Sequence, residues 1–254
     1  MQSANPSTSK TVASTSYLLH LADSALILGQ RQAEWCGHGP VLEQDIAITN
    51  ITLDLVGQAR LWYQYAAELM TESGKPETED SLAYLRDERS FRNFLITELP
   101  NGDWAKTILR QFFFSTYQWL LMEKLMKTND QRVVAIAEKS IKEVRYHMKW
   151  SAEWVIRLGD GTEESRKRLL DALDDLWTYT GEFFESDETD YIDISDAHKN
   201  WMQHVTEVFK EATIDVPGES FFQTGGKKGI HTEYLGFILA EMQHLQRVHP
   251  GAEW

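Results

Sequence analysis

Glu143 and His147 lie four residues apart in Glu143-Val144-Arg145-Tyr146-His147, within a stretch from about 133 to 154 that reads as helix. A carboxylate and an imidazole on one helical face are raw material for a metal site. Di-iron carboxylate bundles build that site from Glu-x-x-His on each of two helices, with a further Glu from each of two others. Here the residue three before His147 is Val144, which cannot coordinate anything. The helix upstream carries a matching defect. In Asp54-Leu55-Val56-Gly57-Gln58, Leu55 stands where a di-iron helix has Glu, and Gln58 where it has His. Glutamine still hydrogen-bonds; leucine offers a metal nothing. The positions Leu55, Gln58, Val144 and His147 read as a degenerate ligand set.

Other chemistry-bearing residues are weaker. Glu241-Met242-Gln243-His244 is the one Glu-x-x-His in the chain, and with 8 histidines in an acidic sequence about one such match arises by chance. It reads more simply as a pair near a helix C-terminus, where a partly charged histidine is favourable. Cys36 stands near His38, but that spacing does not secure a thiol–imidazole bond, and a lone thiol is usually packing. Thr224-Gly225-Gly226-Lys227-Lys228-Gly229 is a basic, glycine-rich island. Free backbone amides with Lys227 and Lys228 suit an anion, although the loop is no P-loop and also reads as a flexible turn. Phe112, Phe113 and Phe114 are consecutive, so on a helix they diverge by roughly 100° per residue and cannot all face one core. Together with Trp119 they mark either a two-sided central helix or a subunit interface.

The frame for these residues is helical throughout. Ser14–Ser16 can cap a first helix reaching about Trp35, and Gly37-His38-Gly39-Pro40 breaks it. A second runs to about Met70; its middle (Ile46, Ile48, Ile51, Leu53, Leu55, Val56) is apolar on nearly every side, as expected of a central bundle helix. A third is predicted from about Asp80 to Glu98, and a fourth from Asp103 with the aromatic run. The fifth starts at Asn129 or Asp130 and stops at Gly159-Asp160-Gly161, and the sixth runs from Thr162 to about Thr180. The acidic run 182–193 reads as a loop. A helix from Ser195 or Asp196 to about Ala212 and a last one from about Thr232 to Arg247 complete the chain. The fold expected is all-α with seven or eight helices, one domain over 14–254 behind a Ser/Thr-rich tail at 1–13.

The 254 residues carry 25 basic and 39 acidic side chains, a net charge of −14, which disfavours nucleic acid and anionic membrane as partners. One cysteine excludes an internal disulfide and suits a reducing cytoplasm. No stretch has the ~18 apolar residues of a membrane span.

Several separated motifs occur in order: Glu34-Trp35-Cys36-Gly37-His38, Leu53 to Arg60, Arg86-Asp87-Glu88-Arg89, Pro100-Asn101-Gly102, Lys142 to His147, and Thr224 to Glu233. Together, from about Tyr17 to Trp254, they resemble the structural C-subunit family of bacterial phenylacetyl-CoA 1,2-epoxidases. The resemblance implies a ferritin-like bundle that pairs with a homologous catalytic subunit. That partner's di-iron centre activates O2 and epoxidises the aromatic ring of phenylacetyl-CoA, while a flavin and iron–sulfur reductase supplies electrons. This chain is then expected to bind no cofactor and to be non-catalytic by itself, with Lys227 and Lys228 touching either the coenzyme A phosphates of a substrate held mainly by the partner or the subunit interface. The alternative is a free-standing ferritin-like di-iron enzyme or metal-storage protein.

Overall fold

The computed structural model describes residues 12–218 and 221–252. Residues 1–11 of the expected tail lie outside the described residues. Ala13, assigned to that tail, is instead buried, and its N–H donates to Asp130 at 3.1 Å. Ten α-helices and no strand occur among the described residues: α1 (Thr15–Ala33), α2 (Leu42–Glu72), α3 (Glu79–Tyr84), α4 (Leu95–Glu98), α5 (Trp104–Leu125), α6 (Gln131–Gly159), α7 (Glu163–Trp177), α8 (Ala197–Glu211), α9 (Glu233–Met242) and α10 (His244–Val248).

Local chemistry sets most boundaries. Ser14 accepts from the Tyr17 N–H to start α1, and Asp103 accepts from Lys106 to start α5. Asp130 accepts from Arg132 and Val133 at the start of α6, and also from Tyr65 at 2.7 Å, so this cap ties α6 to α2. Thr162 and Ser165 form a reciprocal cap on α7.

α1 packs along α2 and α5 along α6, and α2 and α6 meet to close a four-helix bundle, bridged across α1 and α5 by Gln32 and Gln111 at 2.8 Å. α7 and α8 cover α5 and α6, and α9 packs on α1 and α4.

Three expectations need correction. The third helix breaks after Tyr84: Arg86 turns inward to pair with buried Asp23, which also takes the Arg92 N–H at 2.7 Å. This long-range ion pair outweighs local helical preference, and the chain runs through a 3-10 turn at Glu88–Ser90 to the short α4. α2 is not buried all round; Leu42, Ile46, Leu53 and Val56 are exposed, at 70% and 64% for Leu42 and Leu53. The last helix is interrupted at Gln243, whose buried amide donates to the Ala83 and Arg86 carbonyls.

Candidate functional site

The degenerate ligand positions do meet at the centre of the bundle. Leu55 of α2 and Val144 of α6 are fully buried. Around them a polar chain crosses three helices. Gln118 of α5 donates to Gln58 of α2 at 2.8 Å, Gln58 donates to Glu143 of α6 at 2.9 Å, and His147 Nε2 lies 3.0 Å from Asp54 of α2. Each carboxylate has a partner at the rim of the core: Asp54 is half-buried and holds the buried His147 in orientation. The arrangement is that of a hydrogen-bonded core network, with aliphatic side chains where a metal site needs carboxylates and an amide where it needs an imidazole. No group of three His, Cys, Asp or Glu side chains is arranged to hold a metal among the described residues.

The glycine-rich loop is an anion site of an unexpected kind. Its amides grip a carboxylate of the chain itself: Glu182, fully buried, accepts from Gly225 at 3.0 Å, Gly226 at 2.7 Å and Leu95 at 2.7 Å. A Cβ at Gly226 would overlap the Asn93 carbonyl oxygen, so only glycine lets the backbone approach so closely. Burial pushes the Glu182 carboxyl up to about 7, against the three amide bonds that favour its ionised form. Glu98, also buried, accepts from Asn93, from the Thr232 N–H at 2.6 Å and from His231. His231 faces an acceptor with both ring nitrogens, Glu98 at 3.1 Å and the Phe91 carbonyl at 3.0 Å. Burial lowers its pKa, yet the Glu98 hydrogen bond and charge outweigh that and leave it raised.

These contacts correct the reading of the two lysines. Lys227 is turned inward, its ammonium on Asp190 at 2.9 Å and on the Glu185 carbonyl at 2.9 Å, and its side chain is only 7% exposed. It is a structural cation, with no reach toward an external ligand. Lys228 is exposed and pairs with Glu185 at 3.2 Å.

The three phenylalanines likewise face inward. Phe112, Phe113 and Phe114 are all buried inside the chain, Phe113 against Trp177, Trp201 and Phe209, and Phe114 against Tyr117 and Phe183. The two-sided central helix is the reading the structure supports, and it removes these residues from any subunit interface, because α7 and α8 already cover them. Trp119 alone is half-buried, at a surface groove with Met148, Ala152, Ile156 and His204. Glu241 and His244 are exposed on two helices separated at Gln243. Cys36 and His38 are exposed, and His38 Nδ1 meets the Cys36 carbonyl at 3.2 Å, leaving the thiol out of the contact.

Residues that sequence reasoning passed over carry much of the buried polarity: Asp23 with Arg86 and Tyr63, Glu98, and Glu182. Glu182 opens an acidic run that reads as solvent loop, and Asp23 has its partner 63 residues away. Of these, only Glu182 has a signal in the sequence, the glycine pair of a loop suited to an anion.

A helical bundle with remnants of paired ligand helices defines a ferritin-like class. Residues 1–254 match the family described as phenylacetic acid catabolic protein, and the chain belongs to that family. It is 47% identical over 248 residues to the C-subunit of the 1,2-phenylacetyl-CoA epoxidase of Escherichia coli (strain K12), with 94% of this chain and 98% of that protein covered. A di-iron centre, the group such a bundle calls to mind, does not fit the residues present: Leu55 and Val144 supply no ligand, and Asp54, Glu143 and His147 are each held by another side chain. No helix among the described residues is long and apolar enough to cross a membrane.

Proposed function

We propose that this chain is the non-catalytic subunit of a phenylacetyl-CoA epoxidase, pairing with a homologous subunit that carries the di-iron centre and receives electrons from a flavin and iron–sulfur reductase. The observation that carries this reading is the pair of fully buried aliphatic side chains, Leu55 and Val144, at ligand positions of a chain 47% identical to the C-subunit of such an epoxidase. The role left to the chain is to hold and shape its partner.

The exposed apolar ridge of α2 supports the pairing. Leu42, Ile46, Leu53 and Val56 follow helical spacing along one face and stay 38–70% exposed. Permanent subunit contacts are apolar at their centre and usually bury more than ~2,000 Å². The ridge replaces the Phe112–Phe114 run as the surface to which such a partner docks.

Co-expression with the catalytic subunit, followed by metal analysis of the separated chains, tests the reading. The two chains are expected to co-purify, with far less than one iron per polypeptide on this one. Stoichiometric iron on the isolated chain, or failure to co-purify, would overturn it.

A further inference from the structure

We propose that the cleft between the Glu88–Arg89 turn and residues 228–231 binds the phosphorylated adenosine end of a coenzyme A thioester. This inference rests on the function proposed above for its choice of ligand, and on the structure for its site. The cleft has a volume of about 620 Å³, lined by Glu88, Arg89, Lys228, Gly229, Ile230 and His231, a size suited to a nucleotide head group.

One of its cations, Arg89, is uncommitted. Elsewhere on this surface of net charge −14, most arginines find carboxylates, among them Arg60 on Glu79, Arg132 on Glu68, Arg145 on Glu123 and Arg157 on Glu153. The Arg89 guanidinium has no side-chain or backbone partner among the described residues. The Arg92 guanidinium donates only to carbonyls, of Arg89 and Phe91, each at 2.8 Å. Gly229, with φ +73°, lets the loop approach this turn closely: an added Cβ would overlap both Arg92 Nη1 and the Arg89 carbonyl oxygen. Arg89 and Lys228 thus line the cleft, with Arg92 Nη1 beside Gly229, where the backbone has no side chain to block an approaching anion.

Two carboxylates oppose the site. Glu88 lines the cleft, and Glu185 holds Lys228. The Lys228–Glu185 pair is solvent-exposed, so a phosphoryl group carrying two charges displaces it at small cost. Guanidinium groups match phosphate oxygens with paired N–H donors and stack on planar bases. Ile230, 65% exposed, supplies an apolar wall for such a base. A phosphomonoester and a diphosphate on one purine nucleoside satisfy all of these features, and coenzyme A carries them.

Calorimetry on the purified full-length chain at low salt tests the site, with coenzyme A, dephospho-coenzyme A and inorganic phosphate as separate probes. Coenzyme A should bind more tightly than dephospho-coenzyme A, and both more tightly than inorganic phosphate. The double variant Arg89→Gln, Lys228→Gln should weaken coenzyme A by about tenfold or more with an unchanged circular dichroism spectrum. Arg132→Gln, at a paired surface site, should leave it unchanged. Equal affinity for inorganic phosphate, undiminished binding by the double variant, or no coenzyme A binding at all would overturn the proposal. A chain that co-purifies with the catalytic subunit yet fails here sinks only this site. A chain that binds coenzyme A yet fails to pair sinks only the subunit reading.

Discussion

Glu182 shows how a single side chain can redirect the chemistry of a loop. The amides of Gly225 and Gly226 have the geometry of an anion nest, and they are already filled by its carboxylate. Replacing Glu182 by Gln keeps the shape but turns one acceptor into an NH2 group, which must face either the Leu95 N–H or the glycine amides. A buried donor then loses its partner, at a cost of roughly 1–3 kcal/mol. Urea unfolding should show that loss, and amide exchange at Gly225 and Gly226 should quicken; unaltered stability and exchange would mean the clamp holds nothing. Lys227 follows the same logic, because Asp190 and the Glu185 carbonyl use the charge that the sequence advertises. At Leu55 the argument runs the other way. A lone Glu placed there would be an ionisable group in an apolar core without companions, so it should destabilise the fold and leave the chain without iron.

At the scale of elements, legibility depended on how local the cause was. The caps at Asp103, Asp130 and Thr162 act within three residues of themselves, and the helices they open are where the sequence puts them. The span from Leu85 to Glu98 failed because its determinant is Asp23, on another helix. The aromatic run of α5 was readable as two-sided; whether α7 and α8 or a second subunit covers its outer face is a tertiary fact that no single-helix pattern contains. α2 shows the converse, where an all-round apolar reading concealed an uncovered ridge. That ridge makes its own prediction. Ile46→Glu with Leu53→Glu alters exposed positions only, so the free chain should keep its stability to within about 0.5 kcal/mol. Two charges buried without partners in the centre of a subunit contact should weaken pairing by about a hundredfold or more, as read by sedimentation of the mixed subunits. Intact pairing would move the interface away from α2.

For the whole molecule, three buried titratable groups on neighbouring segments set how stability depends on pH. Burial lowers His20 to about 3, with the Lys227 charge acting in the same direction, while its Nδ1 contacts the Arg92 carbonyl. Glu182 is raised to about 7, and His231 is raised through Glu98. A raised group stabilises fully below its unfolded value and loses that contribution as pH climbs through its folded value. Glu182 therefore loses its contribution between 4.5 and about 7, and His231 its own above 6.5. His20 acts oppositely: the unfolded chain takes a proton near 6.5 and the native one does not, so native stability falls as pH drops from 6.5 toward 3. Between about 4.5 and 6.5 the Glu182 and His20 slopes cancel. Below that window His20 continues alone, reinforced by Asp187 and Asp193, whose hydrogen bonds to Thr189 and Ser195 hold them below their usual range. Stability should thus form a plateau in mildly acidic solution and decline on both sides. Urea midpoints measured from pH 3.5 to 8.5 check this shape. His20→Phe should flatten part of the acid limb, and Glu182→Gln should remove the Glu182 share of the decline through neutrality. Because the Glu182 and His20 contributions cancel on the plateau, Glu182→Gln should also tilt that plateau so that stability rises with pH. A plateau that stays level in the Glu182→Gln variant would show that Glu182 does not titrate there.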